Sequence, residues 1–174
     1  DATKCHVTHV VADTGSWEQK LAQALESMPE VEAYVKNQGL NFTIPLTLNG
    51  EQKQYYPDFI ARIRMSGDVQ RGASGQASRD ALHLVIEVTG EQRKDKAAKV
   101  STARTLWVPA VNNHGGFGRW AFVEVTDPWD AQRTIRADAT RDHERIERGL
   151  VERTQCLRDE RIHDRGLHAL RDIG

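Results

Sequence analysis

The chain has 174 residues, 39% hydrophobic and 28% charged, with 24 Lys and Arg against 25 Asp and Glu for a formal net charge of -1. That length suits one globular domain with a buried core rather than two, and the near-zero charge excludes attraction of the whole molecule to nucleic acid, so any such affinity needs a local basic face. No apolar stretch approaches the roughly 18 residues of a membrane span, and the start Asp1-Ala2-Thr3-Lys4 has no basic-then-apolar signal, which argues against a membrane partner and against a leader.

Cys5 and Cys156 form no CxxC or Cys/His ligand spacing, so the expectation is incidental thiols in a reduced, cytoplasmic setting rather than a zinc site. The absence of an initiator methionine reads as an excised or processed piece of a longer protein. In chain order, residues 5–12 have a strand pattern. Ser16-Trp17-Glu18-Gln19 then fits a capping box that opens a helix, with Trp17, Leu21, Leu25 and Met28 on its inward face and Pro29 at its end. Residues 31–36 form a short helix or an extended piece. Residues 42–48 alternate and meet Asn49-Gly50, which predicts a hairpin into Tyr55-Tyr56.

The next strand spans about residues 58–64, with Phe59, Ala61 and Ile63 on one face and Ile60 on the other. Residues 66–80 lack an apolar face and read as a surface loop. Residues 82–88 are apolar except for His83 and Glu87, the signature of a central strand. Residues 95–105 read as a helix with Ala97, Ala98, Val100 and Ala103 inward, closed by Trp107-Val108-Pro109. Asn112-Asn113-His114-Gly115-Gly116 reads as a turn, and residues 119–126 as a last strand. From Asp130 the chain is rich in Arg, Asp and Glu, as in a solvated helix with opposite-charge pairs. The predicted order gives an α/β fold with a mixed sheet and a helical crossover into a parallel strand. The expected division is a domain over 1–137 and a charged helical tail over 138–174.

Asp58 and Glu87 each sit at an end of a hydrophobic strand, an arrangement by which a sheet brings two distant acids around a divalent cation. Phosphodiester cleavage needs a nucleophilic water and stabilisation of phosphate charge, which carboxylate-held hard cations supply. Mg²⁺ keeps several waters and takes one or two carboxylates, so Asp58, Glu87 and the Val88 carbonyl form a sufficient set, with Glu18 as a further acid. Plain alternatives exist for each. Pro57-Asp58 can simply begin a strand, Glu18 can be a solvated first-turn acid, and Glu87 can be satisfied by Arg62 or Arg104. Between Glu91 and Arg104 stand Arg93, Lys94, Lys96, Lys99 and Arg104 against Glu91 and Asp95, a basic stretch that is either a solvated face or a phosphate contact.

Pro57-Asp58 followed by Glu87-Val88-Thr89, on the predicted αβββαβ order, resembles the PD-(D/E)XK or restriction endonuclease-like superfamily. More narrowly, Tyr34-Val35-Lys36-Asn37, Tyr56-Pro57-Asp58-Phe59, Glu87-Val88-Thr89-Gly90, Trp107-Val108-Pro109-Ala110-Val111-Asn112-Asn113 and Gly118-Arg119-Trp120-Ala121-Phe122 resemble the C-terminal nuclease domain of type III restriction-enzyme Res subunits and related defence helicase-nucleases. The resemblance covers about residues 16–129. It implies Mg²⁺-dependent (or Mn²⁺-dependent) hydrolysis of DNA, in a restriction or phage-defence protein with a helicase/ATPase partner or domain. No GxxxxGK[ST] phosphate loop occurs in this sequence.

The sequence departs from the family at Thr89, which stands where the superfamily carries the lysine that activates water and stabilises phosphorane charge. A lysine from the following helix, Lys94, Lys96 or Lys99, is the expected substitute. The alternative is a catalytically inactive DNA-binding or docking module.

Overall fold

The computed structural model describes residues 3–5, 17–65, 81–89 and 95–171, with side chains through Leu150 and at Glu152. The expected strand beyond Cys5, Ser16 of the capping box, the loop 66–80 and Lys94 lie outside the described residues. Helix α1 (Trp17–Ser27) leads into strand β1 (Val31–Lys36), hairpin strands β2 (Ile44–Leu48) and β3 (Glu51–Tyr55), then β4 (Phe59–Ile63) and β5 (Leu82–Val88). Helices α2 (Lys96–Thr102) and α3 (Val108–His114) carry the chain to β6 (Arg119–Val125) and the long α4 (Ala131–Arg171).

Four strands form a mixed sheet in the order β1-β4-β5-β6. The first three make an antiparallel meander, and β6 lies parallel to β5, which requires the helical crossover between them. Residues 31–36 are thus a strand, resolving the two readings that their sequence allows. The hairpin turns at Asn49 and Gly50, whose φ angles of 53° and 80° are those of a type I′ turn, and pairs as a separate two-stranded sheet.

The central sheet is covered on both faces, as the apolar run of β5 demands. On one face Leu21, Leu25 and Met28 of the first helical segment pack with Phe59, Ala61, Leu84, Ile86 and Val123. Complete burial of one such Leu or Phe side chain contributes about 1.5–3 kcal/mol. On the other face the hairpin residues Ile44, Leu46 and Tyr55 pack with Val85, Phe122, Ala103 and Val108.

Three expectations are corrected. Trp107-Val108-Pro109 does not close the crossover helix, because residues 103–107 open into a π turn in which the Val108 N–H donates to the Ala103 carbonyl. The widened turn accommodates a proline, which brings no N–H and crowds the carbonyl four residues back. The helix therefore runs on to His114, where Gly115 at φ 73° ends it. Asn112, Asn113 and His114 are its last turn rather than a loop. Ala97 is exposed, and only Ala98, Val100 and Ala103 join the hairpin-side core.

The charged segment after Asp130 is not solvated from its beginning. Ala131, Ile135 and Ala139, spaced four apart on α4, are fully buried against the sheet. The expected charge pairs form beside this stripe, with their arginines exposed: Arg133 with Asp130, Arg141 with Asp138, and Arg145 with Asp142 at 3.2 Å. Helix α4 continues without a break through residues 137 and 138.

Candidate active site

The register of the sheet decides which acids meet. Phe59 of β4 faces Ile86 of β5, so one further step places Asp58 opposite Glu87. In the parallel ladder Glu87 is level with Glu124 of β6. Directly opposed residues point to one side of a sheet, and this is the side that carries Val85 and the hairpin. Three carboxylates thus stand in a row on neighbouring strands at one end of the sheet.

Asp58 is fixed by the segment that follows β1. The Asn37 N–H donates to the Asp58 carbonyl at 2.8 Å, and the Asn37 amide donates to the carbonyls of Pro57 at 2.9 Å and Phe42 at 2.8 Å. Its own oxygen accepts from the Phe42 N–H at 3.0 Å. One carboxylate oxygen of Asp58 accepts from the Val88 N–H at 2.7 Å, tying β4 to the end of β5. Burial pushes the Asp58 carboxyl above the usual range; the Val88 N–H opposes this, and the Glu18 charge adds to it.

Glu87 accepts a hydrogen bond from the Tyr55 hydroxyl at 2.7 Å. Its carboxyl is pushed up to about 7, first by burial and then by the negative charge of Asp58, against the pull of the Tyr55 hydroxyl and of Lys99. Tyr55 is itself raised by burial and by Glu87. The expected partners Arg62 and Arg104 are engaged elsewhere, with Glu32 at 3.0 Å and Asp138 at 3.7 Å. A phenol, not an arginine, satisfies this acid.

The basic residues divide by position. Lys96 pairs with Glu124 at 2.9 Å, and the Thr89 hydroxyl donates to the same Glu124 oxygen at 3.0 Å. The Thr89 N–H continues the ladder by donating to the Val125 carbonyl. Lys99 lies over the Tyr55 ring, its nitrogen 5.3 Å from the centroid, and its charge draws on both Asp58 and Glu87. Glu18 is ion-paired with Lys36 at 2.6 Å, so it reaches the pair through its charge on Asp58.

Among the described residues no three Asp, Glu, His or Cys side chains converge as a metal cage. The pair fits a cation that needs fewer ligands: two hard carboxylates, both pushed up by burial, with the charge of Asp58 raising Glu87 further against the pull of Lys99. Asp58 and Glu87 are the residues that could hold one, with the Val88 carbonyl. Sequence reasoning missed Tyr55, Asn37 and Glu124. The signals were present in the period of the hairpin, which turns Tyr55 inward with Ile44, and in the parallel register of β6.

Comparison with protein-family models, with curated proteins and with solved structures gave no match to this chain. No described helix is long and apolar enough to cross a membrane.

Proposed function

We propose that the chain is a metal-dependent nuclease domain that hydrolyses DNA phosphodiester bonds, the nuclease module of a larger restriction or phage-defence helicase-nuclease. The observation that carries the reading is the facing pair Asp58 and Glu87, half-buried, with the charge of Asp58 raising Glu87 and Lys99 acting on both acids. The order of helix, antiparallel meander, crossover helix and parallel strand supports a restriction endonuclease-like core, with the β2–β3 hairpin inserted after its first strand. Mg²⁺ or Mn²⁺, when bound, supplies a nucleophilic water and neutralises charge on the phosphate.

The chain's own residues do the rest. Asp58 and Glu87 are the residues that would hold the cation, with the Val88 carbonyl as a third donor. The Asn37 clamp and the Val88 N–H keep Asp58 from rotating away. Lys99, held over the Tyr55 ring beside the two acids, would take the charge-stabilising part that Thr89 lacks. Lys96 stays with Glu124 and damps the third carboxylate of the row.

The test is cleavage of linear and supercoiled DNA by the purified chain with Mg²⁺, Mn²⁺ or EDTA, beside Asp58→Ala as a contamination control. Cleavage that needs the metal and vanishes in the variant is the expected result; equal cleavage by both proteins overturns it. The engagement of the Thr89 hydroxyl by Glu124 favours one other reading, a catalytically silent DNA-binding or docking module. Metal and DNA binding without turnover would select that one.

A further inference from the structure

Tyr55 is the last residue of β3 and only 1% exposed, yet it touches two charged groups of the site through different parts of its ring. Its hydroxyl donates to Glu87 Oε2 at 2.7 Å, and its face lies 5.3 Å from Lys99 Nζ. The hairpin that carries it is not hydrogen-bonded into the four-stranded sheet, and its inward residues are Ile44, Leu46 and Tyr55. The turn at Asn49-Gly50 sets the register that pairs Tyr55 with Ile44, and thereby the height of the phenol above Glu87.

A glutamate side chain has three rotatable bonds, so a carboxylate at the end of β5 needs a fixed partner to hold one orientation. The Tyr55 hydroxyl is the hydrogen-bond donor that the structure gives this carboxylate. A lysine ammonium likewise needs a reason to stay close to the acids rather than extend into water. A buried aromatic face supplies one without neutralising the charge.

We propose that Tyr55 is a positioning residue for the site, orienting Glu87 through its hydroxyl and Lys99 through its ring, and that the β2–β3 hairpin exists to deliver it. This rests on the reading of the site as a metal-dependent nuclease. Removing the hydroxyl alone frees Glu87 and leaves Lys99 in place. Removal of the ring frees both.

The experiment compares the full chain with Tyr55→Phe and Tyr55→Leu, each with and without Lys99→Met, and with Asp58→Ala as the reference for loss of the site. Mn²⁺ affinity is read by calorimetry, kcat and KM on supercoiled DNA, and the melting temperature of every protein alongside. Tyr55→Phe is expected to melt close to the parent, to bind Mn²⁺ about 10–100-fold more weakly and to lose kcat with little change in KM. Lys99→Met is expected to lower kcat further in the parent and in Tyr55→Phe, and to add little in Tyr55→Leu, where the ring that holds Lys99 is already gone. Parent-like Mn²⁺ affinity in Tyr55→Phe, or an undiminished Lys99→Met effect in Tyr55→Leu, overturns the inference while leaving the nuclease reading intact. A parent chain that binds no Mn²⁺, or binds it equally after Asp58→Ala, overturns both.

Discussion

Replacing Glu87 with glutamine keeps the shape of the side chain and an oxygen for the Tyr55 hydroxyl, and removes only the charge. The carboxyl ordinarily titrates at 4.5 and is pushed up to about 7 in the folded protein. At about 1.4 kcal/mol per pH unit this rise corresponds to about 3 kcal/mol. Because the folded chain holds this proton more tightly than the unfolded one, folding weakens as pH rises from about 4.5 through about 7, and the full penalty is present above that. Glu87→Gln is therefore expected to match the parent near pH 4 and to exceed it by about 3 kcal/mol at pH 8, or about 6–12 °C in melting temperature for a chain of this size. Urea unfolding of both proteins at the two pH values measures the difference directly, and the comparison cancels other titrating groups such as Asp142. Excess Mg²⁺ should narrow the gap at pH 8 by stabilising the parent alone. A difference of the same size at both pH values, or a variant less stable than the parent at pH 8, would refute the view that Glu87 is held charged at a cost.

Lys99→Met should lower metal-dependent cleavage by about 10²–10³-fold, the scale of losing one charge-stabilising donor, and move the acid limb of the pH–rate profile upward because both acids lose a cation that lowers their pKa. Lys96→Met, whose partner is Glu124, should leave that limb in place. Ile135→Ala removes a fully buried side chain from α4 and should cost about 2–5 kcal/mol in denaturant unfolding, whereas a tail helix with no part in the core would lose almost nothing.

Much of the scaffold was legible because its signals are local. The inward face of the first helical segment followed from Leu21, Leu25 and Met28, although Trp17, expected with them, is only half-buried; the hairpin followed from Asn49-Gly50, and the central place of β5 from an apolar run broken only by His83 and Glu87. The crossover helix was less legible because Pro109 is a breaker by local rules. What carries the helix past it is tertiary: Trp107, in the π turn, packs edge-on against Phe42 at 5.6 Å and Trp120 at 5.3 Å. Asn112 in the last turn then bonds both the N–H and the carbonyl of Trp120 at 2.8 Å. The buried stripe of α4 was hidden for another reason. Two of its three members are alanines set among arginines and aspartates, so the charge density masked a four-residue period.

The site divides along the same line. Asp58 and Glu87 could be named from sequence because each belongs to a strand end, and pairing of strands brings ends together by register. The compensating cation could not be chosen, since Lys96 and Lys99 are three residues apart on one helix and share a face by spacing alone. Their fates differ because different elements lie beneath them: β6 offers Glu124 to Lys96, and the hairpin offers the Tyr55 ring to Lys99. Which lysine lies beside the acids therefore depends on where a hairpin folds across the sheet, a contact between segments about 40 residues apart that no local pattern encodes. Thr89 adds to this. Its hydroxyl is committed to Glu124, so the residue just past β5 helps hold the third acid, while Lys96 and Lys99 bring positive charge from the helix above. A lysine introduced at position 89 would thus compete with Lys96 for Glu124.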